Sequence, residues 1–297
     1  MTANSILGYR APDAPDASLA DRAGGDLERS CGSPVTDRIR IAEGTGIERI
    51  EAAFRGNAFA PHRHDTYALG LTLHGVQTFR YRGEVRYSAP GNIIVLHPDE
   101  VHDGGAATED GLRYRMLYLP PERLIDALGS RDLPFVASPV LSDPSLAASL
   151  ADAMRDLDGE LDDLHCAELL SAVADGLSRH ARRGTAAGVR IDAAAVRRAC
   201  DFLHGAHDRP VTSADLEAVT GLDRFALARQ FRACLGTSPH RYLIMRRLEQ
   251  ARALIRKGRP LADIALATGF ADQAHFTRHF KTAHGLTPGR WAALSRG

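Results

Sequence analysis

The chain holds 297 residues, 44% of them hydrophobic, with 37 Lys and Arg balancing 37 Asp and Glu; such a length predicts about two globular domains. No stretch reads as an export signal and no apolar run is long enough to cross a bilayer, so a cytoplasmic protein with no membrane partner is expected. Cys31, Cys166, Cys200 and Cys234 show no CxxC spacing, which argues against a disulfide framework and a structural zinc cluster.

The balanced total hides an asymmetry. From Arg190 onward there are 18 Lys and Arg against 9 Asp and Glu, and the preceding residues carry 19 against 28. A basic half joined to an acidic half is the charge pattern of a nucleic-acid reader attached to a sensing or assembly domain.

In chain order, residues 1–35 include "APDAPDASLADRAGGD" and hold too few large apolar groups to offset the entropy of ordering, so a disordered tail is predicted. Residues 36–138 alternate short apolar runs ("YALGLTLHG", "TFRYRG", "NIIVLHP") with Gly and Pro, the spacing of an all-β sandwich or barrel. Over 139–188 the period becomes helical. Leu146, Leu150, Met154 and Leu157 form one stripe, and Leu161, Leu164, Ala167 and Leu170 continue it, which suggests a lid or a dimer surface. The segment closes on the basic, small-residue linker "RRGTAAGVR". Residues 189–297 read as helix throughout.

Within that last region one pattern occurs twice. "GLDRFALARQFRACLGTSP" and "GFADQAHFTRHFKTAHGLTP" match with Leu227 and Phe231 aligned on Phe276 and Phe280; each pair is spaced i, i+4 and must share a buried helix face. The opposite face carries Arg224, Ala228, Arg229 and Arg232 in the first copy, and Gln273, Thr277, Arg278 and Lys281 in the second. A shorter helix ending in Thr-Gly precedes each copy, and Gly221 and Gly269 suit the left-handed turn between two helices. Short helix, glycine turn and polar-faced helix form a helix-turn-helix, which lays its second helix in the major groove of double-stranded DNA. The intervening "PHRYLIMRRLEQARALIRK" predicts one long helix that spaces the two units.

"ADIALATGFADQAHFTRHFKTAHGLTPGRW" resembles the C-terminal signature of AraC/XylS-type transcriptional regulators, and "APHRHDTYALGLTLHGVQTFRYRG" with "PGNIIVLHPDEVHDG" resembles the cupin-like sensor of one branch of that family. The resemblance implies an α+β chain: a cupin-like β-barrel, helices, then an all-α domain of two helix-turn-helix units. It also implies a non-enzymatic regulator with DNA, a small-molecule effector, a second copy of the chain and RNA polymerase as partners, and no cofactor. By the same resemblance Phe225, Arg229, Gln273 and Arg278 reach base edges, while Arg224, His275 and Lys281 lie nearer phosphates; Arg suits guanine, Gln adenine, and an exposed ring a thymine methyl. Two departures stand out. Glu217 replaces the small residue that Ala265 supplies in the second unit, which predicts looser packing, and Ala271 falls at the expected N-cap, which predicts a missing side-chain cap.

In the β half, His62 and His64 alternate along a strand start, with His97 and His102 following "GNIIVL". Three histidines with an open position suit iron, zinc or nickel, which leaves a metal-dependent cupin enzyme fused to a DNA-binding module as the rival reading. The glutamate of the first cupin motif is missing near Tyr67 and Ala68, so the expectation is no bound metal and an organic effector held by His62, His64, Tyr67 and His102.

Overall fold

The computed structural model describes residues 37–42, 46–129, 133–181 and 192–295. The expected tail, Cys31 and the linker at 182–190 lie outside these residues.

The β half is a two-sheet sandwich. The larger sheet contains β1 (Arg38–Ala42), β2 (Glu48–Phe54), β4 (Tyr67–His74), β7 (Ile93–Leu96), β9 (Leu112–Leu119) and the short β10 (Val140–Leu141), in the order β1-β2-β9-β4-β7-β10. The smaller contains β3 (Asn57–His62), β5 (Gln77–Tyr81), β6 (Glu84–Ser88) and β8 (His102–Ala106), in the order β3-β8-β5-β6. The two sheets are not closed into the barrel expected from the alternating runs; they face each other as a cupin-like jelly roll. Strand alternation splits β4 between two environments. Tyr67, Leu69 and Leu71 point to the outer helices, whereas Ala68 packs inside the sandwich.

Those outer helices are α1 (Pro121–Leu128), α2 (Pro144–Ala153) and α3 (Asp163–His180). The stripe Leu146, Leu150 and Met154 is buried against the larger sheet as the periodicity predicts. The continuation is corrected. The buried face of α3 is Cys166, Leu169, Val173 and Leu177, while Leu164 is 69% exposed; a break at 154–162 lets α3 restart in a new phase, with Asp162 capping it through His165 N.

Among the described residues seven further helices follow: α4 (Ala193–Gly205), α5 (Ser213–Thr220), α6 (Arg224–Leu235), α7 (Pro239–Arg256), α8 (Leu261–Ala267), α9 (Gln273–His284) and α10 (Pro288–Ser295). Leu227 and Phe231 sit in one core with α4, α5 and α7. Phe276 and Phe280 sit in another, which continues without a break into the inside of the sandwich. Residues 34–297 therefore form one compact unit, joined through the second helix-turn-helix.

Candidate functional site

Each helix-turn-helix is built by local chemistry. In the first, Gly221 adopts φ 74° and ends α5, and Asp223 caps α6 by accepting from Phe225 N and Ala226 N. Glu217 does not loosen this unit. It is exposed, and its carboxylate accepts from Arg224 N at 3.0 Å, so a charged residue is accommodated because it lies outside the helix contact. In the second unit the turn is one residue longer, which moves the cap to Asp272; its carboxylate accepts from His275 N at 2.6 Å. Ala271 is thus not the N-cap, and no cap is missing.

Among the described residues nothing covers the outer faces of α6 and α9. Arg224, Arg229, Arg232, Gln273, Arg278 and Lys281 are exposed, Ala228 and Thr277 are half-buried between them, and Phe225 is 64% exposed with the Arg224 guanidinium 5.0 Å from its ring. His275 departs from this face. Its ring packs edge-on against Phe270 and its Nε2 lies 2.9 Å from His279 Nε2, so its placement does not support the phosphate contact expected of it.

A cavity of about 760 Å³ opens between the sandwich and the helical half. Its apolar walls include Phe59, Phe79, Tyr114, Tyr118 and Met116 from the strands and Met245 and Trp291 from α7 and α10. His62, His64 and His102 line it, with ring centroids 4.3 Å apart for His62 and His102, 4.9 Å for His64 and His102, and 6.3 Å for His62 and His64. Each Nδ1 lies against a backbone carbonyl: Ala60 O at 2.9 Å, Thr66 O at 2.9 Å and Glu100 O at 3.0 Å, respectively. A carbonyl can only accept, so each Nδ1 carries the proton and donates. Burial, reinforced at His62 and His64 by the neighbouring His102, holds all three imidazoles below their usual range. They are neutral at pH 7, and each Nε2 is a bare acceptor.

Tyr67 and His97 do not join them. Tyr67 points to the other side of β4 and donates its hydroxyl to Pro134 O at 3.0 Å, and His97 Nε2 accepts from Val136 N at 3.0 Å. Among the described residues no group of three or more His, Cys, Asp or Glu has an arrangement that could hold a metal ion.

The cavity's roof is the helix that separates the reading heads. Arg246 donates to Asp65 at 2.9 Å, Arg252 to Glu48 at 2.9 Å, and Arg241 to the Arg63 carbonyl while its Nε lies 3.3 Å from Asp99. Beside them the end of α9 is hydrogen-bonded to the strand that carries His62: Ala60 N donates to Gly285 O at 3.1 Å and Arg63 N to Thr282 O at 3.0 Å. Sequence reasoning read α7 only as a spacer. Its signal was the density of arginine in an apolar helix, four of them buried, since a buried guanidinium demands a carboxylate or carbonyl partner.

Two family models match: an AraC-like ligand binding domain over residues 44–174 and a helix-turn-helix domain over residues 216–293. An uncharacterized HTH-type transcriptional regulator of Bacillus subtilis, YbfI, is 30% identical over 234 residues, which are 76% of this chain and 85% of that protein. This chain belongs to the AraC-type transcriptional regulators. Like them it is a sequence-specific DNA-binding protein with an N-terminal ligand-binding domain. The transcriptional activator NphR of Rhodococcus is 34% identical over 84 residues, 28% of this chain and 25% of NphR. ToxT of Vibrio cholerae shares the fold, at a TM-score of 0.63 and 14% identity over 85% of this chain and 100% of that one. The rival reading of a metal-dependent enzyme finds no support in these regulators. No described helix is long and apolar enough to cross a membrane.

Proposed function

We propose that this AraC-type regulator reads an extended, asymmetric DNA site under the control of a small molecule bound in the interdomain cavity. Phe225 and Arg229 of α6 read one word, and Gln273 and Arg278 of α9 read another; Arg224, Arg232 and Lys281 serve the phosphates. The observation that carries the regulatory part is that one cavity is walled by the ligand-binding sandwich and by the helix connecting both reading heads. ToxT, which shares the fold, has been crystallised with an unsaturated fatty acid bound, and an organic effector is the corresponding role here. A second copy of the chain, docked on the exposed side of α3 around Leu164, and RNA polymerase complete the partners of this reading.

Footprinting on DNA selected from a random pool tests the reading. Two protected major-groove segments about 10 bp apart are expected, and one short segment contradicts it. The double variant His62→Ala, His64→Ala should occupy the same site while losing any effector-dependent change in promoter output. A normal response would place the effector elsewhere.

A further inference from the structure

The effector reading leaves the ligand's chemistry open, and the cavity restricts it. Resting on that reading, we infer that the cavity takes a small organic primary amine, its ammonium group held by His62, His64 and His102 and its apolar body against the aromatic walls.

The head group follows from the hydrogen-bond inventory. Three imidazoles donate to the backbone and turn their second nitrogens away from it, which makes a cluster of acceptors with no donor among them. His64 Nε2 is buried without a partner, and so is the Oε1 of Gln77, which lines the same cavity and is 7% exposed. Buried acceptors left unmet are costly, so an occupant of the imidazole end brings donors, while the unpartnered Nε atoms of Arg123 and Arg246 on the same lining leave room for an acceptor on the ligand as well. An ammonium brings three, whereas a hydroxyl brings one and a carboxylate none.

Charge points the same way. Among the described lining residues there are seven Asp and Glu against four Arg, and burial raises the pKa of two of those carboxyls, Glu122 and Glu249, which narrows the surplus. The arginines nearest the histidines already have carboxylate partners: Arg241 with Asp99, Arg246 with Asp65 and Glu249, and Arg252 with Glu48. A ligand carboxylate beside the imidazoles would have to compete with those carboxylates for Arg241, Arg246 and Arg252. A cation would meet neutral acceptors, carboxylates and the aromatic lining around Tyr118, whose ring is perpendicular to that of His64 with centroids 5.0 Å apart. The volume, about 760 Å³, suits a ligand of drug-like size.

Trp291 is the only tryptophan of the chain and lines the cavity, so its fluorescence reports occupancy of the full-length protein. Titrations with 2-phenylethylamine and octylamine, with the matching alcohols, and with phenylacetate and octanoate should show the amines binding at least about tenfold tighter than either counterpart. Equal or tighter binding of an alcohol or a carboxylate overturns the inference, as does no amine binding at millimolar concentration. Saturation by one equivalent of Zn(II) or Ni(II) that excludes the amine overturns it too. His64→Phe keeps a ring beside Tyr118 and removes one acceptor; it should weaken the amine about tenfold. If that variant fails to fold, a rise in the parent's melting temperature with amine, absent with the alcohol, is the supporting result, and equal shifts are the opposing one. DNA affinity measured in the same solutions separates the two claims. An amine that binds without altering DNA affinity defeats the effector role alone, and an alcohol or carboxylate that alters it defeats the ligand class alone.

Discussion

Burial, with His102 beside it, holds the His64 imidazole well below its usual range, while the hydrogen bond from Nδ1 to Thr66 O acts in the opposite direction. The unfolded chain takes up a proton near pH 6.5 that the folded chain resists, so stability is present above that pH and lost as pH falls below it. In urea melts between pH 7 and pH 5 the parent should therefore lose stability more steeply than His64→Phe, by up to about 1.4 kcal/mol per pH unit. Carboxyls such as Glu249, which burial pushes up to about 7, act in the opposite direction but are common to both proteins; parallel slopes would refute the assignment. On the DNA side, Arg278→Ala should weaken the selected site by about 1–3 kcal/mol and relax discrimination there, whereas Lys281→Ala should mainly flatten the salt dependence. Equal losses on every sequence from both would show the roles are misassigned. The histidine cluster was legible because the residues bear their chemistry openly. Tyr67 was not: one strand position separates the cavity side of β4 from its helix side, and the pattern "YALGL" is apolar on both.

At the scale of elements, the repeat with its glycine turns could be read from composition and spacing alone, since a buried i, i+4 pair and a left-handed residue leave few alternatives. Gly285 shows what spacing could not reveal. It ends α9 at φ 70°, and a Cβ there would lie 2.8 Å from both Ala60 O and His62 Nδ1. Gly221 ends α5 at φ 74° with nothing within 4 Å. Gly221→Ala should therefore cost only the backbone penalty, about 1 kcal/mol, while Gly285→Ala should cost more and also perturb the histidine cluster, seen as a shift in His62 resonances. Equal melting temperatures for the two variants would mean that α9 is not packed on β3 as described. The phase of α3 and the cap at Asp272 escaped prediction for a related reason: a one-residue insertion or a helix break changes which face is buried without changing the composition around it.

For the whole molecule, the acidic and basic halves foretold two functions and said little about their attachment. The attachment is a row of arginines on α7 fitted to Asp99, Asp65 and Glu48, all three outside α6 and α9. Because two reading heads hang on that helix, the sandwich restrains them, and a change at the sandwich rim should be felt at the DNA. Asp65→Asn is nearly isosteric and leaves Arg246 beside Glu249, so it weakens the attachment without exposing a lone buried charge. The decisive measurement is the Kd of the full-length protein for its selected site, parent against Asp65→Asn, across a salt series. A shift of about fivefold or more with an unchanged salt slope is expected, because the phosphate contacts are the same while the balance of head positions is not. Identical Kd values for two well-folded proteins would contradict coupling between the cavity and the reading heads.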